Sequence, residues 1–233
     1  MGFGVINFSL SWVRWIDSKF MVNQFYNKDK FFKSRGEEAR EILLNQISTK
    51  KTCLRGDFDV CELIEKSNQD NLVQAAVLIP IIERANGFTI ILTKRKHNLS
   101  NHAGQISFPG GKRDESDSSF EFTAIREAKE EIGLNINENE VVGKLETWET
   151  RTGFIITPVV CFKNEIPKLE RNADEVEEIF EVPLEYLFNP RNHILEQRVF
   201  NEKGHKFYAI KYSNYYIWGA TAGIIMNLYS LLG

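Results

Sequence analysis

The sequence lacks the marks of several protein classes. Its 29 basic and 32 acidic side chains give a net charge of −3, with none of the positive excess that nucleic acid or an anionic membrane attracts. No uncharged apolar run is long enough to cross a bilayer, and the apolar start meets its first charge at Arg14. We therefore predict neither a nucleic-acid partner nor a transmembrane segment.

Cysteine is also scarce. Cys53, Cys61 and Cys161 are odd in number and show no CxxC spacing, so neither a disulfide framework nor a zinc site is indicated. A reducing compartment fits this composition, and we expect a cytoplasmic location, or an organelle matrix in a eukaryote. The apolar first residues leave four alternatives open: a packed arm, a frayed tail, a docking segment, or sequence upstream of a start at Met21.

The chain divides at about residue 70. In residues 1–70 a helix is predicted near 37–48, where Ala39, Ile42, Leu43 and Ile47 recur at helical spacing. Residues 71–233 begin with two β-branched apolar runs around Asn86-Gly87, which predict a hairpin. Later strand-like runs, a second hairpin around Glu202 to Gly204 and a closing helix in WGATAGIIMNLYSLL predict one α+β domain.

One helix of this domain carries an unusual concentration of acids. Asp117-Ser118 and Glu121 predict its start through a capping box, and Gly133 predicts its end. A helical wheel places a buried stripe on one side and the acids on the opposite, solvent side. The stripe consists of Phe122, Ile125, Ala128 and Ile132, and the acids are Glu127, Glu130 and Glu131.

These glutamates call for positive charge. Glu127 and Glu131 are four residues apart and repel each other, and Arg126 can reach Glu130 but cannot balance three carboxylates. Mg²⁺ or Mn²⁺ prefers such oxygen ligands. A solvated acidic face is the alternative, and the glycine pair Gly110-Gly111 just upstream favours the metal because its backbone can approach a ligand closely.

The segment resembles the Nudix box, a loop, helix and loop built on glycine and glutamate. The matching positions are Gly111, Arg126, Glu127, Glu130, Glu131, Gly133 and Leu134. The acid after the glycine is Asp117 instead of Glu, and eight residues instead of seven separate it from Arg126. We therefore expect Asp117 to be a loop acid without a ligand role.

A longer signature lies upstream and consists of Leu92, Thr93, Arg95, Leu99, His102, Gly104, Gln105, Phe108, Pro109, Gly110 and Gly111. It is similar to that of the coenzyme A diphosphatase branch of the Nudix superfamily, and the resemblance extends over roughly residues 72 to 228. It implies a Nudix fold, in which a mixed sheet lies between helices. It also implies hydrolysis of the diphosphate of CoA or acyl-CoA to 3',5'-ADP and 4'-phosphopantetheine or its acyl form.

The resemblance also implies a set of site residues. Metal ligands would be Glu127, Glu130, Glu131 and the carbonyl of Gly111, with Arg126 among the catalytic residues. A further catalytic acid would be one of Asp174, Glu175, Glu177 and Glu178, of which Glu175 is preferred. Substrate contacts would come from Arg95, His102, Gln105 and Lys112, whereas Trp148, Trp218 and the other aromatic residues are expected in the core.

Three other functions stay open at this point. A Nudix diphosphatase could instead act on ADP-ribose, NADH or another nucleotide, since loops outside the box choose the substrate. A non-catalytic Nudix-like binding module would be expected to lack box carboxylates, and all three are present. Isomerisation of a prenyl diphosphate would need a cysteine constellation that the three cysteines do not supply. The partner is a small molecule in every case, and the choice between monomer and homodimer is left open.

Overall fold

The computed structural model describes residues 28–60, 72–97, 104–165, 167–200 and 203–232. Its main sheet is mixed and has the strand order β3-β2-β1-β7-β5, with β4 on β1, β6 on β7 and β8 on β2. The strands are β1 (Val73–Arg84), β2 (Gly87–Arg95), β3 (Ile106–Ser107), β4 (Gly110–Lys112), β5 (Val141–Lys144), β6 (Trp148–Glu149), β7 (Phe154–Lys163) and β8 (Val176–Pro183).

Strand β1 is the centre of this sheet. It pairs in parallel with β7 and antiparallel with β2, through the predicted hairpin in which Arg84 faces Gly87 across a two-residue turn. Its first half also pairs with the short strand β4, where Ala76 faces Gly111. The apolar run of β1 is buried on both faces, as expected of a strand covered on each side.

Helices cover both faces of the main sheet, as the α+β prediction requires. They are α1 (Gly36–Thr49), α2 (Asp57–Val60), α3 (Phe120–Ile132), α4 (Leu184–Leu187) and α5 (Ala220–Leu232). Ala124, Ala128 and Ile132 of α3 pack in a core on one face. Ala39 and Leu43 of α1 are fully buried in a second core with α5, so this part of the predicted N-terminal extension packs on the domain.

A second, antiparallel sheet has three strands, β9 (Ile194–Phe200), β10 (Lys203–Tyr212) and β11 (Tyr215–Trp218). The pairing of β9 with β10 confirms the second hairpin, although its turn at 201–202 lies outside the described residues. Ser213 and Asn214 form the turn from β10 to β11, and Ser213 has a φ of 51°. None of the helices in the described ranges has the length and apolar character needed to cross a membrane.

The start of α3 differs from the prediction by one residue. The N-cap is Ser119, whose Oγ accepts a hydrogen bond from the Phe122 amide, so the predicted Ser118–Glu121 capping box is wrong. The Asp117 carboxylate accepts bonds from the Asp114 amide and the Thr123 hydroxyl, which holds the chain before the helix in a turn. Gly133 ends the helix with a φ of 67°, as predicted.

The buried side of α3 also differs from the helical wheel. Phe122 is 49% exposed instead of buried, and Glu131 is only 7% exposed, so its predicted place on the solvent side is wrong. The wheel assumes that side chains opposite the apolar stripe face solvent, whereas α3 packs against the short strand β4 as well as against β1 of the main sheet. Glu131 therefore lies within the protein, against the Gly110 amide of β4.

Candidate active site

Two glycines allow strand β4 to lie between β1 and the acids of α3. The amide of Gly110 donates to Glu131 Oε2 over 3.2 Å. A Cβ on Gly111 would lie 2.5 Å from the carboxyl carbon of Glu127, and one on Gly110 would lie 2.4 Å from the carbonyl oxygen of Ala76. Any larger residue at either position would displace a carboxylate or the neighbouring strand.

Arg126 organises the acids around it. It donates to both carboxylate oxygens of Asp117 over 3.0 and 2.9 Å, and to the Lys112 carbonyl over 3.3 Å. Its Nη1 reaches Glu127 over 3.0 Å and Glu130 over 3.1 Å, which confirms the predicted pairing with Glu130. A planar guanidinium suits this arrangement because it presents five donors in fixed directions.

Asp117 is the most fully neutralised of these acids. It is 3% exposed, and its bonds to Arg126 hold its pKa well below the ordinary value, with further help from the Asp114 amide and Thr123. Both of its oxygens are occupied by donors within the protein. This geometry supports the prediction that Asp117 is a loop acid and not a metal ligand.

Glu131 and Glu127 are in the opposite electrostatic situation. Burial raises the pKa of Glu131 to about 8, the Gly110 amide opposes this shift, and the charges of Glu127 and Glu175 reinforce it. Burial likewise raises the pKa of Glu127, although Arg126 opposes the shift. The side chain of Glu130 is 57% exposed. Two crowded, mostly buried carboxylates therefore compete for too little positive charge.

The residues at this position suit a divalent cation. In the described ranges no three His, Cys, Asp or Glu side chains already converge in a metal-binding arrangement. Carboxylates are nevertheless the donors that Mg²⁺ and Mn²⁺ prefer, and a cation beside Glu127 and Glu131 would offset the repulsion and burial that raise their pKa values. We conclude that the donor set fits such an ion.

Four acids were considered at the start of β8 and just before it, and of these Glu175 is the one whose charge acts on the α3 glutamates. It raises the pKa of both Glu127 and Glu131, and its Oε2 lies 3.8 Å from Nη1 of Arg95. The charge of Arg95 in turn lowers the pKa of Glu131. The other acids lie elsewhere: Glu177 pairs with Lys94, Glu178 accepts from the Tyr215 hydroxyl, and Asp174 is exposed.

The other predicted substrate contacts are spread more widely. The carbonyl of Gln105 accepts from the Arg95 amide over 2.9 Å, and Gln105 lines a cavity of about 560 Å³. The ammonium of Lys112 lies 5.9 Å from the ring centre of Phe154 at the start of β7. His102 lies outside the described residues. The structure thus brings Arg95 into the electrostatic surroundings of Glu131 and places the ammonium of Lys112 over the ring of Phe154.

Part of the cavity wall was not expected from the sequence. Tyr215, Tyr216 and Trp218 line it together with Gln105. All three are half-buried, and Tyr215 also packs against the core, as expected of it. Trp148, by contrast, is 1% exposed and belongs to the core, as predicted. The only sequence signal for the cavity wall is the density of rings in NYYIW, which by itself does not separate a core strand from a binding surface.

Comparison with known proteins identifies the family. A family model of the NUDIX domain matches residues 72–203. The chain belongs to the Nudix family. A Citrobacter koseri protein named Uncharacterized Nudix hydrolase NudL is 41% identical over 165 residues, which cover 70% of this chain and 84% of that one. A Yersinia pestis protein of the same name is 42% identical over 158 residues, covering 66% of this chain and 77% of that one.

Solved Nudix structures are similar at a greater distance. The crystal structure of a MutT/nudix family protein from Enterococcus faecalis matches with a TM-score of 0.48 and 15% sequence identity. The match covers 72% of this chain and 64% of that chain. Within the matched NUDIX domain of this chain lie the β4 glycines, helix α3 and Glu175.

Proposed function

We propose that this Nudix protein hydrolyses the diphosphate bond of CoA or acyl-CoA, giving 3',5'-ADP and 4'-phosphopantetheine or its acyl form. The observation that carries hydrolysis is the placement of Glu127 and Glu131, both largely buried, against the glycines of β4. The choice of CoA rests on the sequence signature from Leu92 to Gly111. Hydrolysis of some nucleoside diphosphate derivative is the broader form of the proposal.

The proposed ligand set is the one that the sequence resemblance implies, and the placement of Glu127 and Glu131 beside β4 supports it. Glu127 and Glu131, with the exposed Glu130 and the carbonyl of Gly111, would hold Mg²⁺ or Mn²⁺. When bound, such an ion supplies the positive charge that neutralises diphosphate oxygens and makes water more acidic. Arg126 keeps Glu127 and Glu130 in place through its bonds to both.

Glu175 and Arg95 complete the proposed reaction centre. Glu175 is exposed and close enough to influence both buried glutamates, so it can accept a proton from water as that water attacks phosphorus. Arg95 lies beside it and can bind the diphosphate oxygens, since a guanidinium matches two oxygens at once. Substrate binding at Arg95 would then draw the guanidinium away from Glu175 and free this carboxylate.

A panel of substrates tests the assignment. The purified protein is incubated with CoA, an acyl-CoA, ADP-ribose, NADH and dNTPs, each with Mg²⁺ or Mn²⁺, and products are identified by mass spectrometry. We expect 3',5'-ADP from CoA or acyl-CoA at the highest rate. Preference for ADP-ribose or NADH would replace the CoA assignment, and binding without turnover of any compound would favour a regulatory module. The cytoplasmic location and the oligomeric state stay predictions.

A further inference from the structure

A cavity of about 560 Å³ lies beside the proposed reaction centre and has no role in the reaction described above. One wall carries Lys94, Gln105 and Glu178, and the other is the turn and strand from Ser213 to Trp218. Lys94 is adjacent to Arg95 on β2, and the register between β2 and β8 shifts between these two residues. The cavity therefore adjoins the end of β2 that carries Arg95.

The aromatic wall of the cavity is held rigidly. The ring of Tyr215 stacks on Phe180 with centroids 3.7 Å apart and an angle of 5° between the planes. Its hydroxyl donates to Glu178 over 2.5 Å. The hydroxyl of the neighbouring Tyr216 donates to Glu196 over 2.7 Å. Rings fixed in this way lose little freedom when a ligand binds, which favours stacking of a planar group.

The charges of the wall select against two kinds of ligand. The ammonium of Lys94 is 2.7 Å from Glu177, and Glu178 adds a second carboxylate, so the cavity offers no excess of positive charge to a phosphate. A bound acyl chain would displace water from the polar groups of Gln105, Asn214 and Glu178 and form no hydrogen bonds in its place. Burying polar groups without hydrogen bonds is costly. A neutral, planar ligand with hydrogen-bonding edges suits both conditions.

We propose that this cavity binds the nucleobase of the substrate, stacked on Tyr215. Gln105 connects the two regions, because it lines the cavity while its carbonyl accepts from the Arg95 amide. The inference rests on the proposed function only in requiring a nucleoside diphosphate substrate. CoA, ADP-ribose and NADH all contain adenine, so the base would occupy the cavity with any of them.

The first test uses the full chain and needs no turnover. Adenosine 5'-monophosphate, or pantetheine as the opposite arm of CoA, is titrated into isotope-labelled protein in EDTA, and backbone amide shifts are followed by NMR. We expect the nucleotide, but not pantetheine, to shift the amides of 104–106 and 213–218. Shifts of these amides by pantetheine alone, or nucleotide shifts confined to other residues, would overturn the inference.

The second test uses a matched pair of variants. Tyr215→Leu removes the stacking ring, whereas Tyr215→Phe keeps the ring and removes only the hydroxyl. We expect Tyr215→Leu to bind the nucleotide about tenfold more weakly, and to raise the KM of the hydrolysed substrate with little change in kcat. Equal nucleotide affinity in wild type and a folded Tyr215→Leu variant would overturn the proposal, and the NMR titration decides if that variant does not fold.

The two proposals fail in distinguishable ways. A preference for ADP-ribose over CoA in the substrate panel would remove the CoA assignment and leave the nucleotide titration unaffected. Conversely, hydrolysis of CoA by a protein whose amides at 213–218 do not respond to the nucleotide would leave the proposed function standing and overturn the base site.

Discussion

Helix α3 carries the acids of the proposed hydrolysis, whereas the cavity wall at β11 is the proposed binding surface for the base of the substrate. The α3 acids lie inside the matched NUDIX domain, residues 72–203, whereas β11 lies beyond it. The acids are held in an unfavourable electrostatic state, with burial raising the pKa of Glu131 to about 8, while the cavity rings rest in favourable stacking and hydrogen bonds.

This contrast indicates which residues should affect turnover and which should affect substrate affinity. A site that must attract a cation gains from carboxylates that the fold alone does not satisfy, whereas a binding surface gains from rigidity. Changes in α3 should therefore affect turnover strongly with little loss of stability, except where they reach the neutralised Asp117. Changes at β11 should affect affinity.

The largest effect is expected from Glu131→Gln. Removing this charge should lower hydrolysis by more than the roughly 100-fold typical of losing an outer-shell partner of a metal. Folding raises the pKa of Glu131 from 4.5 to about 8. The stability that the protonated carboxyl contributes is therefore fully present below pH 4.5, the unfolded pKa, and is lost as pH rises through 8. In EDTA at neutral pH the variant should thus be at least as stable as wild type.

The control for this change is Glu121→Gln, at the start of the same helix. Glu121 pairs with Lys144 over 2.7 Å, away from the β4 glycines, and should retain wild-type hydrolysis. Turnover and thermal unfolding in EDTA are measured for both variants. Full activity in Glu131→Gln would contradict the proposed ligand set.

Asp117→Asn tests the acid that Arg126 neutralises, and its effect should fall on stability, unlike the effect of Glu131→Gln. It breaks a buried pair with Arg126 and should cost about 3 kcal/mol of unfolding free energy, measured by urea denaturation. The exposed Asp114→Asn in the same loop should change this free energy by less than about 0.5 kcal/mol.

The Asp117–Arg126 ion pair should contribute less to stability at low pH. Folding lowers the pKa of Asp117, so its contribution is present above the unfolded value and is lost as pH falls below about 4. The difference in stability between wild type and Asp117→Asn should therefore shrink in acid. A difference that stays constant, or grows, would contradict the assigned role.

Alanine at the two β4 glycines should give different defects. At Gly110 the new Cβ meets the Ala76 carbonyl, which is part of a paired strand, and should cost about 1 to 3 kcal/mol of stability. At Gly111 it meets the carboxylate of Glu127, the movable end of a side chain, and should lower turnover with a smaller loss of stability. Similar melting temperatures for both variants would contradict this distinction.

The smallest effect is expected from Tyr215→Phe. Loss of the hydroxyl bond to Glu178 should lower stability by about 1 kcal/mol or less. The bond to Glu178, together with burial, raises the pKa of Tyr215 to about 12, so an absorbance titration of the variant should lack one phenol at that pH. A large loss of nucleotide affinity would show that the hydroxyl, and not the ring, matters.

The sequence predicted the elements that rest on local signals. The hairpin at Gly87, helix α1 and the end of α3 at Gly133 follow from turn residues, spacing and a left-handed cap, which are properties of neighbouring residues. Placement of Glu131 failed because its burial depends on β4, which a wheel does not include. The cap was misplaced by one residue because Ser118 and Ser119 are adjacent and either hydroxyl can cap a helix; the structure uses Ser119.

The cavity could not be predicted for a related reason. Gln105 and Tyr215 meet only because β3 and β11 are brought together by long-range packing. The roles of Arg95, Glu175 and the metal ligands stay predictions. Their geometry supports Glu175 over its three neighbours and gives the ammonium of Lys112 a contact with Phe154 instead.

The reach of Arg126 has a consequence for how the site comes together in folding. One side chain binds the strand that ends at Lys112, the loop at Asp117 and two helix carboxylates. Opening of the loop would break the Asp117 bonds that fix the guanidinium and leave Arg126 held only by its own helix and strand β4. We therefore expect the loop, through Arg126, to influence how firmly Glu127 and Glu130 are oriented.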